Sequence, residues 1–148
     1  MHILVDADAC PVKDIILELG AKYKIPVIMF MDTSHIMTNI ACTVITVDKG
    51  RDSADIAIAN HTEKGDIIVT QDYELACMLM AKGGHIINQN GLIYTSDNID
   101  SLLMQRHISA KLRKSGKRSS KIKARTNDDN NKFRYNLENL ILSVIGKS

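Results

Sequence analysis

The chain has 148 residues, of which 45% are hydrophobic and only 4% aromatic, so it is long enough for one globular domain with an aliphatic core. No apolar run approaches the length of a membrane span, and the N-terminus lacks the basic and then apolar pattern of a secretory signal. The three cysteines show no CxxC spacing, which favours a reducing cytoplasm over a disulfide or zinc framework.

Charge is distributed unevenly along the chain. Residues 1–100 carry 7 Lys and Arg against 14 Asp and Glu, whereas residues 101–148 carry 12 against 3. Residues 106–125 hold nine basic residues and no acidic one. An acidic body followed by a basic region predicts a metal site beside a segment that binds nucleic acid; a solvated segment that aids solubility is the alternative.

Short apolar runs alternate with helical patterns through the first hundred residues. Strands are predicted over residues 2–5, 27–31, 42–47, 67–70, 85–87 and 92–95. Helices are predicted over residues 11–24, 52–61, 73–82, 98–109 and 129–145, with residues 35–41 either a short helix or a loop. This alternation predicts an α/β fold of three layers, α/β/α, around a mainly parallel sheet of about five strands.

The pattern divides the chain into an α/β domain over residues 1–109, a basic linker over 110–128 and a C-terminal helix over 129–146. Ser and Gly interrupt the basic stretch, which favours a linker. The last helix carries an apolar stripe, made of Phe133, Leu137, Leu140, Ile141 and Val144. That stripe is expected to pack on the domain or on a partner chain, including a second copy of this chain.

Acidic residues follow three of the predicted strands. Asp6 and Asp8 follow the first, Asp52 and Asp55 lie on the first turn of the helix after the third, and Asp72 follows the fourth. The carboxyl ends of parallel strands meet at one edge of a sheet, where α/β proteins bind their ligands. Each Asp taken alone is also a common helix cap or turn residue, so the prediction depends on the set.

Converging carboxylates repel one another, which should raise the pKa of at least one of them. A divalent cation relieves this repulsion, and oxygen-only ligands favour Mg²⁺ or Mn²⁺. Such a site suits metal-assisted phosphodiester hydrolysis. Asp66 precedes the fourth strand, at the opposite edge of the sheet, and is therefore expected to be structural.

Three segments carry a resemblance to a known family. DADACPVK at residues 6–13, VDKGRDSADIAI at 47–58 and GDIIVTQDYELA at 65–76 together resemble the YaiI/YqxD family of bacterial proteins, which has no established function. NGLIYTSDNIDSLLMQRH and the C-terminal helix fit the same family, so the resemblance spans nearly the whole chain. One departure is Lys121-Ile122, which stands where relatives tend to carry Gly-Pro.

That family is similar to the wider PIN-like and NYN nuclease group. The resemblance implies a PIN-like fold and a ribonuclease dependent on Mg²⁺ or Mn²⁺. Asp6, Asp55 and Asp72 match the acids of that group and would be catalytic, with Asp72 in its Thr70-Gln71-Asp72 context. Asp8 and Asp52 would be additional metal ligands of this family.

Basic residues are the candidates for contact with the nucleic-acid backbone. They are Lys13, Arg51, Arg106, Lys111, Arg113, Lys114, Lys117 and Arg118. RNA is favoured over DNA by the PIN-like resemblance alone. Two alternatives stay open: a nucleic-acid-binding module without catalysis, and an Mg²⁺-dependent small-molecule phosphatase, since Asp6-Ala7-Asp8 resembles the DxD of haloacid dehalogenases. Trapping a phospho-aspartate at Asp6 would identify the phosphatase.

Overall fold

The computed structural model describes residues 1–8, 10–32, 42–50, 53–114 and 124–146, and the side chains of Leu103, Arg106, His107, Ser109, Arg113 and Lys114 are not part of that description. The strands are β1 (Ile3–Asp6), β2 (Val27–Asp32), β3 (Thr43–Val47), β4 (Ile67–Val69) and β5 (His85–Ile87). The helices are α1 (Lys13–Lys22), α2 (Ser53–His61), α3 (Tyr73–Ala81), α4 (Ile99–Lys114) and α5 (Asn127–Gly146).

The five strands form one sheet in the order β3-β2-β1-β4-β5, and every neighbouring pair is parallel. β1 lies at the centre, with β2 on one side and β4 on the other. The chain therefore extends the sheet in one direction from β1 to β3, then returns to the other side of β1. This reversal leaves a crevice at the carboxyl ends of β1 and β4, which is the position where doubly wound sheets bind ligands.

Helices cover both faces of the sheet. On one face, Ile16 of α1 and Phe133 of α5 pack in a cluster with Ile3 and Val5 of β1. On the other face, Ile58 of α2 and Leu75 of α3 pack with Leu4 of β1. Alternate residues of the buried central strand thus point into different cores, as the pleat requires. The predicted three-layer, parallel α/β fold is confirmed.

The C-terminal helix belongs to the domain. Phe133, Leu137, Leu140 and Ile141 are buried in the core that α1 and the sheet form. The helix begins at a capping box, in which the Thr126 hydroxyl accepts from the Asp129 N–H and the Asp129 carboxylate accepts from the Thr126 N–H. Asp129, the predicted first residue, is therefore the third residue of the helix.

Both ends of the predicted linker, residues 110–128, are helical. α4 continues to Lys114, because residues 110–114 read Ala-Lys-Leu-Arg-Lys, all good helix formers. Asn127 and Asp128 belong to α5. The intervening residues 115–123, with Lys121-Ile122, lie outside the described residues, as does the ambiguous segment 35–41.

Two other predicted bounds change. The predicted strand over residues 92–95 is reduced to one antiparallel bridge between Ile87 and Ile93, because the chain turns again at Thr95–Asn98, where the two residues cap each other. Helix α1 begins at Lys13 instead of Pro11, and Pro11 lies in the turn before it.

Among the described residues, no helix combines the length and the apolar character that a membrane crossing needs.

Candidate functional site

Asp6 and Asp72 meet at the crevice between β1 and β4. Val5 pairs with Val69, so Asp6 lies level with Thr70, the first residue after β4. The Thr70 hydroxyl donates to Oδ2 of Asp6 at 3.3 Å and accepts from the backbone N–H of Asp72 at 3.1 Å. One threonine therefore links the two acidic positions and orients the Asp6 carboxylate.

Asp72 is also the N-cap of α3. Its Oδ1 accepts from the N–H groups of Glu74 and Leu75 at 3.0 and 3.1 Å. The cap function and the site function coexist, because a capping carboxylate at the carboxyl edge of a sheet also faces the crevice. Asp8 lies on the neighbouring turn, where its Oδ2 accepts from the Asp32 N–H at 3.1 Å.

Two adjoining pockets share Asp6 and Gln71. A small one of about 60 Å³ is lined by Asp8, Cys10 and Gln89 as well. A larger, open one of about 510 Å³ is lined by Asp72, Tyr73, Asn88 and Asn90. We refer to the two pockets together as the acidic cleft. Its carboxylates come from Asp6, Asp8 and Asp72.

The Asp6 carboxyl is half-buried, and that burial raises its pKa. The hydrogen bond from Thr70 lowers the pKa, and the charges of Asp8 and Asp72 raise it further. The predicted rise is therefore present at one carboxyl, but loss of hydration contributes more to it than repulsion does.

Asp55 does not line the acidic cleft. It lines a separate pocket between α2 and α3, together with Glu74, Met78 and other residues of those helices. Within the described residues, no three His, Cys, Asp or Glu side chains lie close enough to hold one metal ion. The structure therefore places Asp55 in a different pocket from Asp6 and Asp72, and a shared metal site for all three stays a prediction. Asp52 lies outside the described residues.

The predicted nucleic-acid contacts are only partly described. Lys13 is half-buried at the start of α1, near Cys10 of the cleft, and Lys111 is exposed on α4. The backbones of Arg106, Arg113 and Lys114 are helical in α4. Arg51, Lys117 and Arg118 lie outside the described residues. The contact of all these basic residues with nucleic acid stays a prediction.

Sequence reasoning missed Arg125 at the rim of the cleft. Its guanidinium donates to the Gln89 carbonyl at 2.7 Å, to Oδ1 of Asn90 at 2.9 Å and to Oδ1 of Asn130 at 2.7 Å. Arg125 is one of nine basic residues in its stretch, and no local spacing distinguishes it from the others.

Burial raises the pKa of the Cys10 thiol in the small pocket, and the positive charges of Lys13 and Arg125 oppose that rise.

Fold and site together define a parallel α/β domain with a carboxylate-lined cleft at its topological switch point. The chain belongs to the family described as "Uncharacterized BCR, YaiI/YqxD family", whose profile matches residues 4–143. It is 54% identical to a UPF0178 protein of Ruminiclostridium cellulolyticum over 90% of this chain and 87% of that one. It is 49% identical to a UPF0178 protein of Alkaliphilus oremlandii over 99% and 97%.

A solved structure also aligns with this chain, the "Crystal structure of Rae1 (YacP) from Bacillus subtilis (W164L mutant)". The alignment covers 78% of this chain and 84% of that chain, with 19% identity and a TM-score of 0.40.

Proposed function

We propose that this protein is a nuclease that depends on Mg²⁺ or Mn²⁺ and hydrolyses phosphodiester bonds of RNA. The observation that supports this most is the meeting of Asp6, Asp8 and Asp72 around one cleft at the switch point of the sheet. Carboxylates gathered where the fold binds ligands are a recurring means of holding a divalent cation.

The carboxylates of the acidic cleft suit a cation that keeps part of its water shell better than a cation that is fully enclosed by protein ligands. Mg²⁺ keeps several water ligands and needs only one or two carboxylates from the protein. Asp6 is the central candidate ligand, because it lines both pockets and its pKa is raised. Asp8 and Asp72 would contact the ion through its water ligands, since the described residues hold no three acidic side chains close enough to bind one ion directly. When bound, the ion would polarise a phosphoryl oxygen and acidify its water.

The protein's own residues would orient the reacting groups. Thr70 holds the Asp6 carboxylate, and the start of α3 holds that of Asp72, so neither needs to reorganise when a substrate arrives. Asp55 is not part of this proposal as a direct ligand, since it lines another pocket.

The direct test is cleavage of a labelled single-stranded RNA in the presence of Mn²⁺. We expect Asp6→Asn and Asp72→Asn to reduce cleavage by a factor of about 10² or more, since each removes a charge that would hold the ion. Asn caps helices as well as Asp does, so Asp72→Asn should keep α3 intact. Asp100→Asn, an exposed change in the first turn of α4, is the matched control. Failure of the parent protein to cleave, or equal cleavage by Asp6→Asn, would refute the proposal.

RNA contact is proposed for the basic stretch around the end of α4. Neutralising Lys111, Arg113, Lys114, Lys117 and Arg118 together should weaken RNA binding and flatten its salt dependence. Removal of one phosphate contact should reduce the slope of log K against log salt by about 0.7 for a single strand. Mn²⁺ binding at the cleft should be unchanged. An unchanged slope would assign the stretch to solubility instead.

A further inference from the structure

The turn formed by Asn88–Gly91 borders the larger pocket of the acidic cleft. Asn88 follows β5 directly, and both Asn88 and Asn90 line the same pocket as Asp6 and Asp72. The turn closes by hydrogen bonds from the Gly91 N–H to the Asn88 carbonyl at 3.1 Å and from the Asn88 N–H to the Leu92 carbonyl at 2.9 Å. The two carboxamides of this turn thus share a pocket with Gln71 and two carboxylates.

The amide of Asn88 has a fixed orientation. Its Oδ1 accepts from the backbone N–H groups of Asn90 and Leu92, both at 2.9 Å. A backbone N–H can only donate, so the atom facing these groups must be the oxygen. Asn88 is only 8% exposed, and within the described residues its Nδ2 group makes no hydrogen bond. A pair of N–H donors that lines a pocket and has no partner among the described residues is complementary to an acceptor on a ligand.

The amide of Asn90 is oriented by Arg125. Arg125 can only donate, and its Nη1 faces the Asn90 side chain at 2.9 Å, so that atom is again the oxygen. Arg125 is itself fixed by Asn130 of α5 and by the Gln89 carbonyl. Asn90 lies exposed at the rim, and its Nδ2 group is the part left for a ligand.

Helix α5 holds the turn in this shape. Gly91 has φ +88°, and a Cβ there would lie 2.9 Å from Nδ2 of Asn136 and 3.2 Å from Cα of Phe133. The same Asn136 donates to the Gly91 carbonyl at 2.8 Å. Only glycine suits this backbone and this close approach, so the two amides are set before any ligand binds.

We propose that Asn88 and Asn90 form a phosphate-binding subsite, in which their Nδ2 groups donate to non-bridging oxygens of a phosphate in the substrate. This inference rests on the proposed nuclease function and adds a binding site to it. Neutral amides suit the position: a lysine there would pair with Asp6 or Asp72 and compete with the cation, whereas an amide donates without neutralising them. Arg125 is a positioning residue, which acts through Asn90.

The test measures binding of an eight-nucleotide single-stranded RNA in Ca²⁺, with Mn²⁺ binding measured separately. Asn90→Asp keeps an acceptor for Arg125 but replaces both donors, and we expect the RNA affinity to fall roughly tenfold or more, as for loss of a hydrogen bond to a charged group. Asn90→Ala removes the donors without adding charge and should also weaken binding. Asn60→Asp, exposed in the Asp55 pocket, makes the same charge change away from the cleft and should leave affinity unchanged.

Asn88→Asp is the second variant, since its carboxylate keeps both backbone hydrogen bonds. It should reduce RNA affinity while Mn²⁺ binding persists. RNA binding by Asn90→Ala and Asn88→Asp equal to that of the parent would overturn the subsite and leave the nuclease proposal intact. A parent protein that binds Mn²⁺ but whose Asn88 and Asn90 side-chain amide NMR signals do not move with RNA would also overturn it. A parent that binds neither Mn²⁺ nor RNA would remove both proposals.

Discussion

The two edges of the sheet each carry a buried or half-buried aspartate near β1, and the two residues have opposite surroundings. At the amino edge, Asp66 is 1% exposed and accepts from the N–H groups of His2 and Glu63 at 2.9 and 2.8 Å, with the His2 ring 3.6 Å away. At the carboxyl edge, Asp6 accepts from one hydroxyl and lies near two other carboxylates. Asp66 ties the amino ends of β1 and β4 together, whereas burial and neighbouring carboxylates raise the pKa of Asp6.

The partners of a buried carboxylate separate a structural acid from a functional one. A buried carboxylate whose partners are N–H donors of its own fold is satisfied and needs no ligand. A carboxylate surrounded by others at a binding crevice carries a free-energy cost that a cation can offset. Four measurements test the difference between the two aspartates.

The largest effect is expected at the amino edge. Asp66→Ala should lower the free energy of unfolding by about 2–4 kcal/mol, because it leaves two N–H donors without their charged acceptor. Urea denaturation measures it, with Asp100→Ala on the exposed surface of α4 as control, expected within about 0.5 kcal/mol of the parent. If both variants were equally stable, Asp66 would not be the structural member of the contrast.

A similar effect, of opposite sign, is expected at the carboxyl edge when metal is added. At a free Mn²⁺ concentration of about 100 times Kd, the parent should gain about 2.7 kcal/mol. Asp6→Asn should lose most of this gain, since it removes the central carboxylate. Thermal melts with and without Mn²⁺ report the difference. An equal Mn²⁺ response in both proteins would place the ion elsewhere.

The third prediction compares Asp72 with Asp55, because the two predicted site residues line different pockets. Asp72→Asn should weaken Mn²⁺ binding roughly tenfold, because Asp72 faces the cleft. Asp55→Asn should change it less than about twofold, because Asp55 lines the pocket between α2 and α3. Isothermal titration on both variants compares them. A larger effect at Asp55 would mean that α2 moves toward the crevice when metal binds.

The smallest effect is the pH dependence of stability without metal. The folded state raises the pKa of Asp6 above its ordinary value of 3.8, so it binds that proton more tightly than the unfolded chain does. Stability relative to Asp6→Asn should therefore rise as the pH falls through the folded pKa, and level off below the ordinary value. Groups that do not interact with Asp6 titrate alike in both proteins and cancel in the difference. A flat difference between about pH 7 and about pH 3 would contradict the raised pKa.

The sequence predicted the ends of the five strands within one residue, because each is a short apolar run that ends at or before a polar residue. Asp6 and Asp72 could be placed at one edge from that pattern alone, since parallel strands share an edge. Asp55 could not be placed in the same way. It follows β3 on a helix, and the position of that helix depends on how α2 packs against the sheet and α3, which no local spacing reveals.

The turn of Asn88–Gly91 that borders the acidic cleft likewise depends on contacts between distant parts of the chain. Arg125 and Asn90 are 35 positions apart, and their hydrogen bond exists only because α5 packs beside α1 and returns the chain to the end of β5. The parallel α/β class, the acids after β1 and β4 and the structural role of Asp66 could all be predicted from the sequence, because the spacing of apolar residues is a local property of the chain. Which polar groups face those acids was decided by contacts between distant segments, whose energies depend on packing rather than on neighbours in the chain.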